Sequence, residues 1–126
     1  MPALSSYLEN ALLNHVLRHV AMTSPTTVYL AAYSTNPTAN DSGTEVTGGS
    51  YARQAVSFSA PASGVATNSA DINFASMPAV TVTYLGIRDA ITGGNLLFFG
   101  ALTAARVLAS GDTFTVRAGD LNVSMT

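Results

Sequence analysis

From residue 26 onward the chain is a succession of short β-type runs separated by turns containing Gly, Pro or Asp. Strands this short and this closely spaced lead to an antiparallel sandwich or a small barrel of about seven or eight strands. The runs are residues 27–33 (TVYLAAY), 51–59 (YARQAVSFS), 70–74 (ADINF), 80–89 (VTVTYLGIRD), 95–102 (NLLFFGAL), 113–117 and 121–126. In each, alternation picks an inward face: Val56 and Phe58, Ile72 and Phe74, Phe114 and Val116, then Leu121, Val123 and Met125. The 80–89 run changes phase, since Val80, Val82 and Tyr84 point one way and Leu85 and Ile87 the other. A bulge near Tyr84–Gly86, or burial on both faces, accounts for the change. Thr92-Gly93-Gly94 reads as a hairpin turn, and the unbroken Leu96-Leu97-Phe98-Phe99 places the next strand centrally. Residues 34–50, polar and without periodicity, read as an exposed functional loop.

Before the strands, residues 6–20 read as one amphipathic helix. Ser6 followed by Glu9 fits a capping box, each side chain bonding the other's free backbone N–H. At 100° per residue, Leu8, Leu12, Leu13, Val16, Leu17 and Val20 cover about half the circumference, with Asn10, Asn14, His15 and Arg18 opposite. This face packs either on the chain's own sheet or on a neighbouring subunit. The expected architecture is therefore mainly β: a single domain over 1–126, with a helix at about 6–20 and an antiparallel β-sandwich over about 26–126.

Composition bears on how such a fold survives in water. Only 10% of the residues are charged and 48% are apolar, against about 25% charged in an average soluble domain. There is no Cys, no Trp and no Lys, and the five cations are all Arg. So few charges imply that other copies or a larger assembly cover much of the surface. A net charge of −2 and five scattered arginines argue against nucleic acid and against anionic lipid. The apolar stretch at 11–17 is too short for a membrane span and lacks the cationic region of a signal peptide. Without Cys there is neither a disulfide framework nor a Cys-based zinc site.

Catalytic chemistry finds little support. His15 and His19 stand four apart, but Val16 occupies the place where a zincin carries its general base. No G-x-S-x-G elbow occurs, and the seven acids fall mostly at turns or at the helix cap. Neither Gly48-Gly49 nor Gly93-Gly94 opens onto a helix as a phosphate cradle would. We therefore expect no catalytic residues, no cofactor and no metal. The five tyrosines (7, 29, 33, 51 and 84) read as strand and rim residues, or as a sugar-stacking platform. Arg53 and Arg88, in strand runs with few charges nearby, pair either across a subunit contact or with a solvent-facing acid.

The segments 4–18 (LSSYLENALLNHVLR), 49–61 (GSYARQAVSFSAP), 68–74 (NSADINF), 93–102 (GGNLLFFGAL) and 118–123 (AGDLNV) resemble a group of small tailed-bacteriophage virion proteins. These are often labelled phage tail fibre protein. The resemblance runs over nearly the whole chain and implies a β-sandwich and a structural role without catalysis. This sequence departs from the group's pattern between Phe74 and Tyr84, where a Trp-containing insertion is replaced by the short Ala75-Ser76-Met77-Pro78-Ala79.

The resemblance and the sparse charge together imply a non-enzymatic phage virion component, assembled in the host cytoplasm. It would form a homo-oligomer, expected as a trimer, with the major capsid protein or tail components as partners. Capsid decoration is the first expectation, because a compact domain offers no fibre shaft; a tail or tail-fibre position and a carbohydrate-binding adhesion module are the alternatives. The residues expected at contacts are Leu8, Leu12, Leu13, Val16, Leu17, Tyr51, Arg53 and Arg88.

Overall fold

The computed structural model describes residues 3–125. Strand β1 (Ala3–Leu4) leads into helix α1 (Ser6–Leu17), followed by β2 (Val28–Tyr33), β3 (Gln54–Val56), β4 (Val65–Thr67) and β5 (Ile72–Phe74). Then come β6 (Val80–Arg88), β7 (Leu96–Leu108), β8 (Phe114–Val116) and β9 (Asn122–Ser124). Every pairing is antiparallel. One sheet has the order β1-β7-β6-β2-β3, and two ribbons pair β4 with β9 and β5 with β8.

Two-stranded ribbons cannot bury their apolar faces alone. Here both turn inward onto the five-stranded sheet, closing a mainly β sandwich. Leu30, Ala32, Leu85, Ile87 and Leu97 of the sheet share one buried cluster with Ile72, Phe74, Phe114, Val116 and Val123 of the ribbons. Phe74 lies at its centre. Its ring stacks on Tyr51 (centroids 5.8 Å apart, planes 10° apart) and on Phe114 (5.8 Å, 19°).

Expectation and structure differ at several points. The helix stops at Leu17, not at residue 20. The Val20 N–H folds back to the Asn14 carbonyl (3.1 Å), and His19 takes a left-handed φ of 59° that ends the helical run. The N-cap is Ser5, not a Ser6–Glu9 box: its Oγ accepts from the Leu8 N–H at 3.1 Å and donates to the Leu96 carbonyl, joining the helix start to β7.

The sheet centre is β6, because β7 has only the two-residue β1 on its far side. β7 runs on to Leu108 because its pairing with β6 continues to Val80. Register slips between Ile87 and Arg88 and between Val82 and Tyr84, where Thr83 alone opposes residues 102–105 of β7. The extra residues of both irregularities lie in β7, but one slip adjoins Tyr84, where the phase change points, and Leu85, Gly86, Ile87 and Arg88 are all buried, so an irregularity and burial on both faces both contribute. The first slip turns both Leu97 and Phe98 toward the ribbons. Strand β4 was not expected at all: Val65-Ala66-Thr67 is too short to show a period, and it is defined by pairing with β9.

On the opposite face of the large sheet, Gly86 is required by close packing. A Cβ there would come within 2.7 Å of Tyr33 Cε1 and 2.9 Å of Leu96 Cδ1. That proximity lets the polar 34–50 loop and the helix N-terminus share one side of the sheet, where the Ser6 N–H donates to the Ala39 carbonyl at 2.8 Å.

Candidate interaction surfaces

Three features of the molecule offer something to a partner: an arginine cluster beneath the 34–50 loop, an apolar helix ridge and an apolar groove.

The cluster begins with strand alternation, which sets Tyr33 and Arg88 on the sheet face opposite the ribbons. Arg88 is 6% exposed and grips Asp41 bidentately, Nη1 to Oδ1 at 2.7 Å and Nη2 to Oδ2 at 2.8 Å. It also donates to the Tyr33 hydroxyl at 2.9 Å and to the carbonyls of Gly93 and Gly94. Arg53 does the same with Glu45 (2.7 and 2.9 Å) and reaches the carbonyls of Ala90 and Gly93. Tyr51 donates its hydroxyl proton to Glu45 Oε2 at 2.6 Å and accepts from the Ala32 N–H at 3.0 Å.

Both arginines therefore tie the loop to the turn between β6 and β7, within one chain. Bidentate guanidinium–carboxylate pairs are the strongest and most directional of such contacts. Burial alone would lower the Arg88 pKa, but hydrogen bonds from Arg88 to Asp41 and Tyr33 outweigh it and raise it. Burial pushes the Tyr51 hydroxyl up, and its bond to the Glu45 carboxylate pushes it further. Tyr33 is likewise raised by burial.

Burial would also raise Glu45, yet hydrogen bonds from Arg53 and Tyr51 overcome it and hold the carboxyl below its ordinary 4.5. The unfolded chain then binds the extra proton first as pH falls, so this contribution is complete above the ordinary carboxylate range and is lost below it. Asp89 acts in the same sense. Burial would raise it, but bonds from the backbone and side chain of Asn95 lower it below 3.8. The melting temperature should stay level from neutral pH down to about pH 5 and then fall. Melts of the Glu45→Gln variant over the same range should show a shallower acid decline. An unchanged decline would mean that Glu45 is not the responsible group.

The ridge is the second feature. Leu8 is 4% exposed and belongs to the core, and Leu12 packs partly against it. Farther along, Leu13, Val16 and Leu17 are 56%, 66% and 69% exposed, and Val20 just beyond the helix is open too. The first half of α1 is thus anchored while the second half carries its leucines into solvent. His19 lies past the helix end, so it does not share a helix face with His15, whose Nδ1 sits 3.2 Å from the Val20 carbonyl.

The third feature is a groove of about 360 Å³ where the large sheet meets the β4–β9 ribbon. Its wall includes Val28, Phe58, Pro61, Ala66, Phe98 and Met125, and among the described residues no charged side chain lines it.

Of the residues expected at contacts, the structure thus exposes Leu13, Val16 and Leu17 together. It sinks Leu8 into the core and engages Tyr51, Arg53 and Arg88 inside the chain. The groove was not anticipated, because its residues come from six separated stretches and show no pattern along the sequence. Asp41 and Glu45 had a signal: they are the only charges in the 34–50 loop. The tyrosines form no open platform: Tyr33, which pairs with Tyr84 across β2 and β6, is 1% exposed, Tyr29, Tyr51 and Tyr84 are partly buried, and Tyr7 lies apart on α1.

A protein-family model described as podophage GP4 fiber I protein gp80 matches residues 3–124. No curated protein matches the chain.

Proposed function

The chain belongs to the podophage GP4 fiber I protein gp80 family, and from that membership we propose that it is a non-enzymatic structural subunit of a virion fibre. In this reading it associates with its own copies and with neighbouring virion proteins. The observation that supports it is the bare second half of α1. Large aliphatic side chains more than half exposed, on a chain with 10% charged residues, are stable in a crowded solution when another surface covers them. The arginine cluster serves the same end. It consumes two of five cations to fix the 34–50 loop internally and leaves the outer surface poorly charged.

Capsid decoration is the second reading. It is favoured by the absence, among the described residues, of any repeat or extended shaft: residues 3–125 fold around one buried cluster. Antibody labelling of intact phage, imaged by electron microscopy, separates the two. Label on projecting fibres is the expected result. Label spread over the shell would replace the fibre reading with decoration, and particles without label would overturn both.

A further inference from the structure

We propose that an extended segment of a different virion protein adds as a strand to the outer edge of β7 and fills the seam between β7 and β8. This rests on the reading of the chain as a structural subunit in contact with neighbouring virion proteins, and names the surface and the kind of partner.

Beyond the three features above, the molecule carries a second groove, of about 440 Å³. One wall is β7 from Gly100 to Ala104, the other is β8 with Leu121, and buried Leu85 lines the floor. Strand β1 covers the outer edge of β7 only at Phe98 and Phe99, and among the described residues no other strand pairs with that edge. Nor does β8 pair with any described strand but β5.

Main-chain groups face into this seam. The Ser5 N–H donates to the Leu97 carbonyl at 2.9 Å, so Leu97 and, by alternation, Phe99 and Ala101 turn their N–H and C=O away from β6. At Ala101 no described strand is there to meet them. The stretch Gly100-Ala101-Leu102-Thr103-Ala104-Ala105 has neither charge nor proline, the usual guards of an exposed edge. Its small side chains let another backbone come close. Such an edge specifies its occupant: an extended main chain bonds to it, while alternate side chains fill the flanking groove.

Charge adds a second requirement. Arg106 reaches across one end of the groove, its guanidinium 5.4 Å from the centre of the Phe114 ring. The ion pairs among the described residues use Arg53 and Arg88, so Arg106 awaits a carboxylate from outside. An acidic residue of the incoming segment supplies it.

A second copy fits the seam poorly. Each described strand is already bonded to a neighbour, so a copy arrives as a sheet or ribbon and meets the β8 wall. The irregularity opposite Thr83 also bends β7 out of the flat edge that sheet-to-sheet pairing needs, whereas a lone segment follows it.

The test is an array of short overlapping peptides tiling the other proteins of the phage particle, probed with the full chain. Peptides that bind should alternate apolar residues and carry an Asp or Glu. N-methylation at alternate backbone nitrogens of a bound peptide should lower affinity about tenfold each, and far less at the nitrogens between, because only every second N–H faces β7. Arg106→Glu should weaken binding by about tenfold or more, and a Lys in place of the peptide's acid should restore it. Arg106 is exposed, so this variant should keep its fold, with circular dichroism as the check. Ala101→Pro removes an outward donor and spares the ladder to β6, so it should weaken binding about tenfold as well. The methylated peptides keep the test independent of how that variant folds. With peptide bound, amide exchange should slow along residues 101–106 and stay unchanged along α1.

No bound peptide, or binding indifferent to N-methylation and to Arg106→Glu, would overturn the proposal. Exchange slowed at residues 13–17 instead would move the contact to the helix and overturn it too. Label on fibres with no bound peptide would defeat this inference alone, since the labelling experiment decides the location separately.

Discussion

Phe74→Ala is expected to destabilise the fold by about 4 kcal/mol, the middle of the range for removing a buried aromatic ring. Phe74 is 1% exposed and is the middle ring of the Tyr51–Phe74–Phe114 stack. Its loss opens a cavity where the β5–β8 ribbon meets the large sheet, and a two-stranded ribbon has little else to hold it there. It also removes the floor on which Tyr51 rests while donating to Glu45, so the effect should reach the loop. Melting should fall by roughly 15 °C for a domain of this size. Phe74→Leu, which retains most of the volume, should lose far less. Urea unfolding at one fixed protein concentration is the appropriate measurement, so that any association contributes equally to each variant. A loss below about 1 kcal/mol would mean that the stack is not the centre of the core.

The two ring neighbours of Phe74 show what could be seen in the sequence and what could not. Alternation marked Phe74 and Phe114 as inward, and both are. The class, the antiparallel pairing and the N-terminal helix follow from period and turn chemistry, which are local. Tyr51 was not legible as part of the core, since its place depends on Phe74 approaching from another ribbon. Strand length in β7 was equally hidden: Ala104, Ala105, Arg106 and Val107 are exposed, and the strand continues past its irregularity because Arg106, Val107 and Leu108 pair with Val82, Thr81 and Val80.

The helix makes the same point for function. A period of 3.6 gathers Leu8, Leu12, Leu13, Val16 and Leu17 on one side, but periodicity cannot tell which turns the sheet reaches. Ser5 decides that by fixing the helix start to β7, so the sheet shelters Leu8 while later turns run past it. Leu13, Val16 and Leu17 thus remain from the expected contact residues. Arg53 and Arg88, expected to pair across a subunit contact or at the surface, instead pair within the chain with Glu45 and Asp41, acids on a loop whose path no local signal sets.

That loop provides the second large effect. Asp41→Asn is expected to cost about 3 kcal/mol, although Asp41 itself is partly exposed. The penalty falls on Arg88, whose side chain is 7% exposed and would retain its charge beside only neutral acceptors, the Tyr33 hydroxyl and two turn carbonyls. Asn is the informative replacement because Asp41 has a left-handed φ of 57°, which Asn tolerates and Ala does not. Arg88→Met removes the buried charge while filling the space, so the double variant Asp41→Asn/Arg88→Met should be more stable than the sum of the single losses predicts. Additive losses in that cycle would show that the pair is not coupled. The 34–50 loop should also lose hydrogen-exchange protection, and with it the Ala39 carbonyl that holds the Ser6 N–H. Because that bond anchors α1, the charge pair and the helix ridge belong to one mechanical unit. Loosening Asp41 should therefore also lower hydrogen-exchange protection in the first turn of α1, and protection there that is unchanged would show that the two are not coupled.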